Sequence, residues 1–301
     1  MEVRAINKRR FNLAGIIPTA GQSLDFNFPW HDSLIPVGHN YLAVEKAVFD
    51  CAMAGCDTIW IVCPKDMQPL IRYRLGDYVV DPWRFYHELH FSGKPKTREI
   101  SIYYVAALPK DADRRDCLAW SIITGANVAY RVGRKLSRWS CPDKYFVAFP
   151  YGMYTPYYMG DHRSKIRSHR AFALAYEEKT YRDGLYLPFT FDAADFKRCR
   201  NKFRKEETTS RDYEGKAIPA ADSYTGRYFT HDAVFSEVST DEPYLVDIPW
   251  YYDVSNWEGL KKWLGSENKL DKPPEFLLKY NEWLPLGVDV EKEDKEHENE
   301  Q

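Results

Sequence analysis

No segment of the 301-residue chain is long and apolar enough to span a membrane, and no run of signal-peptide length follows the basic opening, Met1 to Arg10. Net charge is nearly absent as well. Lys and Arg number 42 against 44 Asp and Glu, leaving −2, so no global field draws the chain to nucleic acid or membrane and any such contact has to be local. The six cysteines, at 51, 56, 63, 117, 141 and 199, contain no C-x-x-C pair. That pattern argues against a zinc site or a disulfide framework and reads as reduced thiols in a cytoplasmic protein. Phosphate loops of the G-x-x-x-x-G-K type, the dinucleotide fingerprint G-x-G-x-x-G and internal repeats are also missing.

What is present is a globular composition, 44% apolar and 29% charged, which excludes wholesale disorder. The length suits one large α/β domain with extensions, or two smaller ones. The rest of the chain is organised around residues 13 to 62. An apolar run, Leu13 to Pro18, precedes a small-residue loop, Thr19-Ala20-Gly21-Gln22-Ser23, and a second apolar run spans Thr58 to Val62. Between them Val44, Ala47, Val48, Cys51 and Ala52 recur at helical spacing, with Asn40 as the expected N-cap and Gly55 as the left-handed terminator. Doubly buried strands joined by a helix make a βαβ unit, whose ligand end is the carboxyl end of its first strand.

Further along, Leu70, Ile71 and Leu75 are at helical spacing, Ser101 to Ala107 reads as a strand, Asp116 to Val132 as a helix and Lys144 to Phe149 as the next strand. Asp161 to Arg170 is a basic loop that reads first as a solvated surface segment; the functional alternative places it beside the cleft, in contact with phosphates of a nucleotide or of nucleic acid. Ala171 to Tyr176 reads as a strand and Asp195 to Lys205 as an amphipathic helix with a basic outer face. Asp111-Ala112-Asp113 stands before a helix and reads as its solvated start. Ser255 or Asn256 caps a late helix whose buried stripe is Leu260, Trp263 and Leu264. From 266 the composition shifts; Phe276, Leu277, Tyr280, Trp283 and Leu284 are expected to dock as a short helix before an acidic tail. The expected organisation is an α/β domain over 1–265 and a C-terminal extension over 266–301.

The run Leu13 to Pro18, the Ala20-Gly21 loop, Leu34-x-Pro36-Val37, the helix, Ala54-Gly55-Cys56-Asp57 and the strand Thr58 to Val62 together resemble the opening of the nucleotidyltransferase superfamily. The nearest branch is the sugar-1-phosphate nucleotidyltransferases, whose Rossmann-like fold is shared with GT-A glycosyltransferases. Glu177-Glu178-Lys179 resembles that family's E-K-P element, Asp183 to Phe189 its a-G-i-Y strand, and Ile248 to Leu260 its late motif, roughly w-x-D-v-x-t-x-e-d-L. The chain departs from the family at three places. The loop is Gly21-Gln22-Ser23-Leu24 in place of G-x-G-T-R, His31-Asp32 stands where P-K is usual, and Pro150-Tyr151-Gly152 stands at the Gly-Asp that supplies a first metal carboxylate.

The resemblance implies a three-layer αβα domain with a mostly parallel, mixed sheet. It implies a nucleotide on Ala20, Gly21, Gln22 and Ser23, a sugar phosphate on Glu178 and Lys179, and a catalytic Mg²⁺ on Asp253. The activity implied is nucleotidyl transfer from a nucleoside triphosphate to a sugar phosphate with release of pyrophosphate. Two alternatives remain open: a GT-A-like glycosyltransferase using a nucleotide sugar, and a non-catalytic descendant that keeps the fold for binding or assembly, favoured by Asp32 and Tyr151. No membrane partner is expected, and nucleic acid only through the basic loop.

Overall fold

Two halves of the βαβ unit form where the apolar runs stand: Leu13–Pro18 is β1 and Thr58–Val62 is β4, paired in parallel with Ala14 opposite Thr58. The computed structural model describes residues 11–21, 31–87, 98–106, 108, 115, 117–137, 140–207, 229–239, 243–274 and 277–279. Between the two strands lie a small hairpin, β2 (Pro36–Gly38) with β3 (Tyr41–Leu42), and the crossover helix α1 (Ala43–Met53). The helix starts later than the expected cap. Asn40 has φ 50 and makes the hairpin turn, so Leu42 is the N-cap, and its N–H donates to the Glu45 carboxylate at 2.8 Å. Gly55 ends the helix at φ 80, as expected.

Successive β1 side chains alternate between two buried layers. Leu13 and Ile17 face α1, with Val44, Ala47 and Cys51; Ala14 and Ile16 face the other side. Gly15 shares the α1 face because a Cβ there would lie 2.8 Å from Cys51 Sγ. On the α1 face are also α2 (Gln68–Leu75) and α3 (Pro82–His87). The opposite layer holds α4 (Leu118–Leu136), α7 (Ala193–Glu207) and α8 (His231–Phe235), joined through Ile122, Cys199, Phe203 and Phe235.

The remaining strands are β5 (Tyr78–Val80), β6 (Glu99–Val105), β7 (Lys144–Val147), β9 (Phe172–Ala175), β10 (Phe189–Asp192), β11 (Tyr244–Asp247) and β13 (Leu278–Lys279). They complete a nine-stranded sheet in the order β11-β9-β10-β7-β1-β4-β6-β5-β13. β5 and β10 run against their neighbours and every other pairing that does not involve them is parallel. This is the expected αβα architecture with a mostly parallel, mixed sheet. A third cluster, outside the sheet, packs β2 and β3 against α9 (Trp257–Leu264) and a two-stranded ribbon of β8 (Gly152–Met153) and β12 (Tyr252–Asp253).

Three local expectations change. Residues 185–188 are not a strand: Gly184 turns at φ 85, and β10 begins at Phe189. Leu264 is 62% exposed, so the buried stripe of α9 is Leu260 and Trp263, capped by Asn256 through a 2.8 Å bond from Gly259 N–H. Leu278 and Lys279 are a strand on β5 where a short helix was expected, because β5 offers an unpaired edge there. The acidic tail and Asp111-Ala112-Asp113 lie outside the described residues. Among the described residues no helix is long and apolar enough to cross a membrane, and all six cysteines are free thiols.

Candidate functional site

β1 pairs with β4 on one side and β7 on the other, so the strand order reverses between β1 and β7. In an open α/β sheet the crevice at the carboxyl ends of such a pair is where a ligand binds. Two chain segments flank it: Thr19 to Gly21 after β1, and Ala148 to Gly152 after β7.

The first wall is held by the fold itself. Thr19 and Ala20 N–H both donate to Val62 O, at 2.9 and 3.0 Å, and Ser121 Oγ donates to Ala20 O at 2.8 Å. Gly21 has φ 82, and a Cβ would fall 2.3 Å from Cys117 N, at the start of α4. Glycine is therefore required at 21 by the close approach of loop and helix. Any contact this loop makes to a ligand begins no earlier than Gly21; Gln22 and Ser23 lie outside the described residues.

The second wall carries Tyr151, Gly152 and, opposite them, Asp253. Tyr151 is fully buried, its carbonyl accepting from Val254 N–H at 2.9 Å and its hydroxyl without a hydrogen-bond partner among the described residues. Burial, with the charge of Asp32 and the neighbouring Tyr186, raises its phenol far above the ordinary range. Gly152 follows, where a Cβ would meet Tyr186 O at 2.1 Å. Asp253 sits opposite Gly152 in the β8–β12 ribbon, half-buried, with Oδ1 accepting from Ser255 N–H at 2.8 Å.

Beneath Gly152 lies Lys46. Its ammonium donates to Gly152 O at 2.7 Å, pairs with Asp50 at 2.7 Å and lies 3.2 Å from the centre of the Tyr154 ring, whose hydroxyl donates to Asp50 at 2.6 Å. All three side chains are fully buried. Burial lowers the Lys46 pKa against the pull of Asp50. Lys46 is thus a support under the crevice floor, shut off from any phosphate; Lys65 is exposed beyond β4.

One residue escaped the sequence reading. His231, at the start of α8, packs 5.0 Å from the Phe149 ring and 5.2 Å from Tyr186 and lies within electrostatic reach of Asp253. Its Nε2 is 3.3 Å from Leu185 O, which fixes the proton on that nitrogen, and burial lowers its pKa. Nothing in Thr230-His231-Asp232 signals this placement, which depends on a contact more than eighty residues away in sequence.

Glu178 and Lys179 stand at the same end of the sheet but on its rim. Tyr176 and Lys179 exchange backbone hydrogen bonds at 2.9 Å around Glu177 and Glu178, at φ 49 and 64, a tight left-handed turn with exposed side chains. β10 separates their strand from β7. Among the described residues no group of three or more His, Cys, Asp or Glu is arranged to hold a metal. Asp253 alone therefore fits only a cation that arrives with phosphate oxygens as its other ligands, the usual situation of Mg²⁺ in nucleotide sites.

The basic loop is misplaced by the sequence reading. It runs from the end of α5 (Tyr157–Asp161) through α6 (Arg163–Ile166), at the amino ends of the parallel strands and away from the crevice. Arg163 is bidentate to Asp81, and Arg167 bonds Asp57, Gly55 O and Phe11 O. These arginines serve the buried Asp81 and the partly buried Asp57, so the loop offers no phosphate or nucleic-acid contact to the crevice, and Asp161 stands at the opposite end of the sheet from Asp253.

No protein-family model matches the sequence, and no curated protein is significantly similar to it. Solved structures are similar in chain path. One is a Bacillus anthracis protein assigned as a glucose-1-phosphate thymidylyltransferase and solved with sucrose, at 11% identity over 87% of this chain and 97% of that one, TM-score 0.49. A UDP-glucose pyrophosphorylase solved with UDP-glucose gives 11% identity over 84% and 97%, TM-score 0.48. A Mycobacterium tuberculosis protein gives 13% over 85% and 98%, TM-score 0.43. At such values the ligands of those proteins carry no weight for this chain.

Proposed function

We propose that this chain takes a nucleoside triphosphate in the β1–β7 crevice and transfers its nucleotidyl group to a sugar phosphate or similar acceptor, releasing pyrophosphate. The observation that supports this is Asp253, held opposite Gly152 at the carboxyl end of β7 beside the reversal of strand order. An acceptor phosphate oxygen forms a bond to the α-phosphorus as the bond to the pyrophosphate oxygen breaks in line. Positioning and charge stabilisation do most of such work. Asp253 would hold Mg²⁺ entering with the nucleotide, and the ion, when bound, would offset charge developing on the phosphates. The Gly21 turn and the residues after it would orient the triphosphate, and Glu178 and Lys179 on the rim would meet the acceptor.

A second reading rests on Asp32. Its negative charge acts on Tyr151, at the edge of the same crevice, and the nearby Lys46 is sealed beneath the floor. An acidic group at that edge, with Lys46 turned away from it, suits binding without transfer, or a finished nucleotide sugar used for glycosyl transfer, better than triphosphate cleavage.

The test is a thermal-shift screen of nucleoside triphosphates and nucleotide sugars with and without Mg²⁺, followed by a pyrophosphate-release assay. A ligand at a hundred times its Kd adds about 2.7 kcal/mol of apparent stability. A Mg²⁺-dependent shift with a triphosphate, together with pyrophosphate release, supports transfer. A shift with nucleotide sugars alone and no pyrophosphate selects the second reading, and no shift with either removes the crevice as a nucleotide site.

A further inference from the structure

The crevice wall after β7 holds a basic group that transfer to a phosphate leaves idle. His231 is only 5% exposed, and its Nε2, which carries the ring's proton, donates to Leu185 O at 3.3 Å. Nδ1 then has only a lone pair to offer. It has no hydrogen-bond partner among the described residues, yet it is not sealed from solvent as the Tyr151 hydroxyl is.

The ring is positioned from two sides. On one, α8 is fastened to β10 by Phe235, whose ring lies 5.2 Å from Phe189 and 5.5 Å from Phe191. On the other, the two residues after the Gly184 turn connect the imidazole to the β8–β12 ribbon. Leu185 O takes the Nε2 proton, Tyr186 N–H donates to the Tyr251 hydroxyl at 3.0 Å, and a Cβ on Gly152 would fall 2.1 Å from Tyr186 O. Gly152 is paired with Asp253, whose charge reaches His231. One short segment thus holds the imidazole beside the carboxylate that would carry the crevice ion. Burial lowers the His231 pKa against the pull of Asp232 and Asp253, so the ring is neutral at physiological pH and its lone pair is available.

A phosphate acceptor makes no use of such a lone pair. Its second ionisation lies at about 6, so at neutral pH it attacks as a dianion. A hydroxyl keeps its proton until the attack, and a base within hydrogen-bond reach speeds the reaction by taking it. We propose that His231 is a general base that equips the crevice to transfer the nucleotidyl group to a hydroxyl as well as to a phosphate. The hydroxyl oxygen forms its bond to the α-phosphorus while its proton passes to Nδ1. The bond from the α-phosphorus to the bridging oxygen breaks, pyrophosphate leaves with the electron pair, and the imidazolium returns its proton to solvent. The product is a phosphodiester, where a phosphate acceptor gives a diphosphate. This second activity rests on the crevice being a nucleotidyl-transfer site and names a further class of acceptor for it.

The experiment supplies the full chain with the four nucleoside triphosphates, Mg²⁺ and either glucose, which offers only hydroxyls, or glucose 1-phosphate. Pyrophosphate release is followed, and phosphorus NMR separates phosphodiester from diphosphate products. The wild-type chain is expected to form both. His231→Gln, whose amide can still donate to Leu185 O but whose oxygen is no base, should lower the ratio of phosphodiester to diphosphate formation about a hundredfold. A merely structural role would move both rates together and leave the ratio alone. His231→Asn takes its place if the glutamine variant melts early. An unchanged ratio, or a wild-type chain that forms diphosphate alone, overturns the role of His231 while the crevice remains a transfer site. Pyrophosphate release with neither acceptor overturns the transfer site itself, and the base with it.

Discussion

Lys144 opens β7 with its ammonium buried and donating to three main-chain carbonyls, of Ile166, Ser168 and Arg170. Burial lowers its pKa to about 8, below the ordinary 10.5 of an unfolded lysine. Below pH 8 both folded and unfolded chains hold this proton. From about 8 to 10.5 the unfolded chain holds more protons, so this group makes stability rise with pH over that window. Lys144→Met should abolish that share of the slope in urea melts compared at pH 7.5 and 9.5. It should also cost about 1–3 kcal/mol at neutral pH, because carbonyls are left without a donor. Asp253 is the residue whose predicted role the crevice tests most directly. Asp253→Asn keeps size and the bond from Ser255 but loses the charge; nucleotide-dependent stabilisation should survive without Mg²⁺ and lose its Mg²⁺ increment. An unchanged increment would remove Asp253 from the site. At this scale the sequence singles out Asp253 because its motif is local. His231 was not legible beside Phe149 and Tyr186, because the three meet only when chain from separate segments is brought together.

Elements were read well wherever one pattern of burial governed them. β1 and β4 have the expected bounds because each is apolar on both faces, β1 ending in Pro18 and β4 giving way to Cys63-Pro64. The beginnings of α1 and of the segment after Gly184 were misread, since Asn40 and Asp183 are equally good turn formers and cap formers, and long-range pairing decides between the two. Gly21 belongs to this scale because it joins two elements: Gly21→Ala forces a side chain into a left-handed backbone and against Cys117. A loss of roughly 1–3 kcal/mol is expected from the backbone alone, and more if α4 has to shift. Thermal melts of the variant report this; a wild-type melting temperature would mean the turn relaxes freely. Asn256→Ala, which removes the cap of α9, should cost about 1 kcal/mol without touching the crevice.

On the scale of the whole molecule, the sheet is closed at one edge by the chain beyond residue 265. Leu278 pairs with Val79, Leu277 is fully buried, and Leu270 packs with Ile35, Val37 and Trp263. Truncation after Gly265 should lower the melting temperature by several degrees and promote association, because the edge of β5 is left unpaired. A truncated chain that melts and sediments like the full one would show that this extension adds nothing to the fold.

By itself the sequence determined the fold class and the first βαβ unit, because hydrophobic period and turn chemistry are local signals. Only the tertiary structure decided which end of the sheet each charged segment serves. Arg163 and Arg167 are as basic in sequence as any phosphate-binding loop, yet the buried Asp81 and the partly buried Asp57, far away along the chain, hold them at the amino ends. A buried carboxylate draws a guanidinium by strong short-range electrostatics, and that attraction acts on distance in space, which the order of residues does not encode.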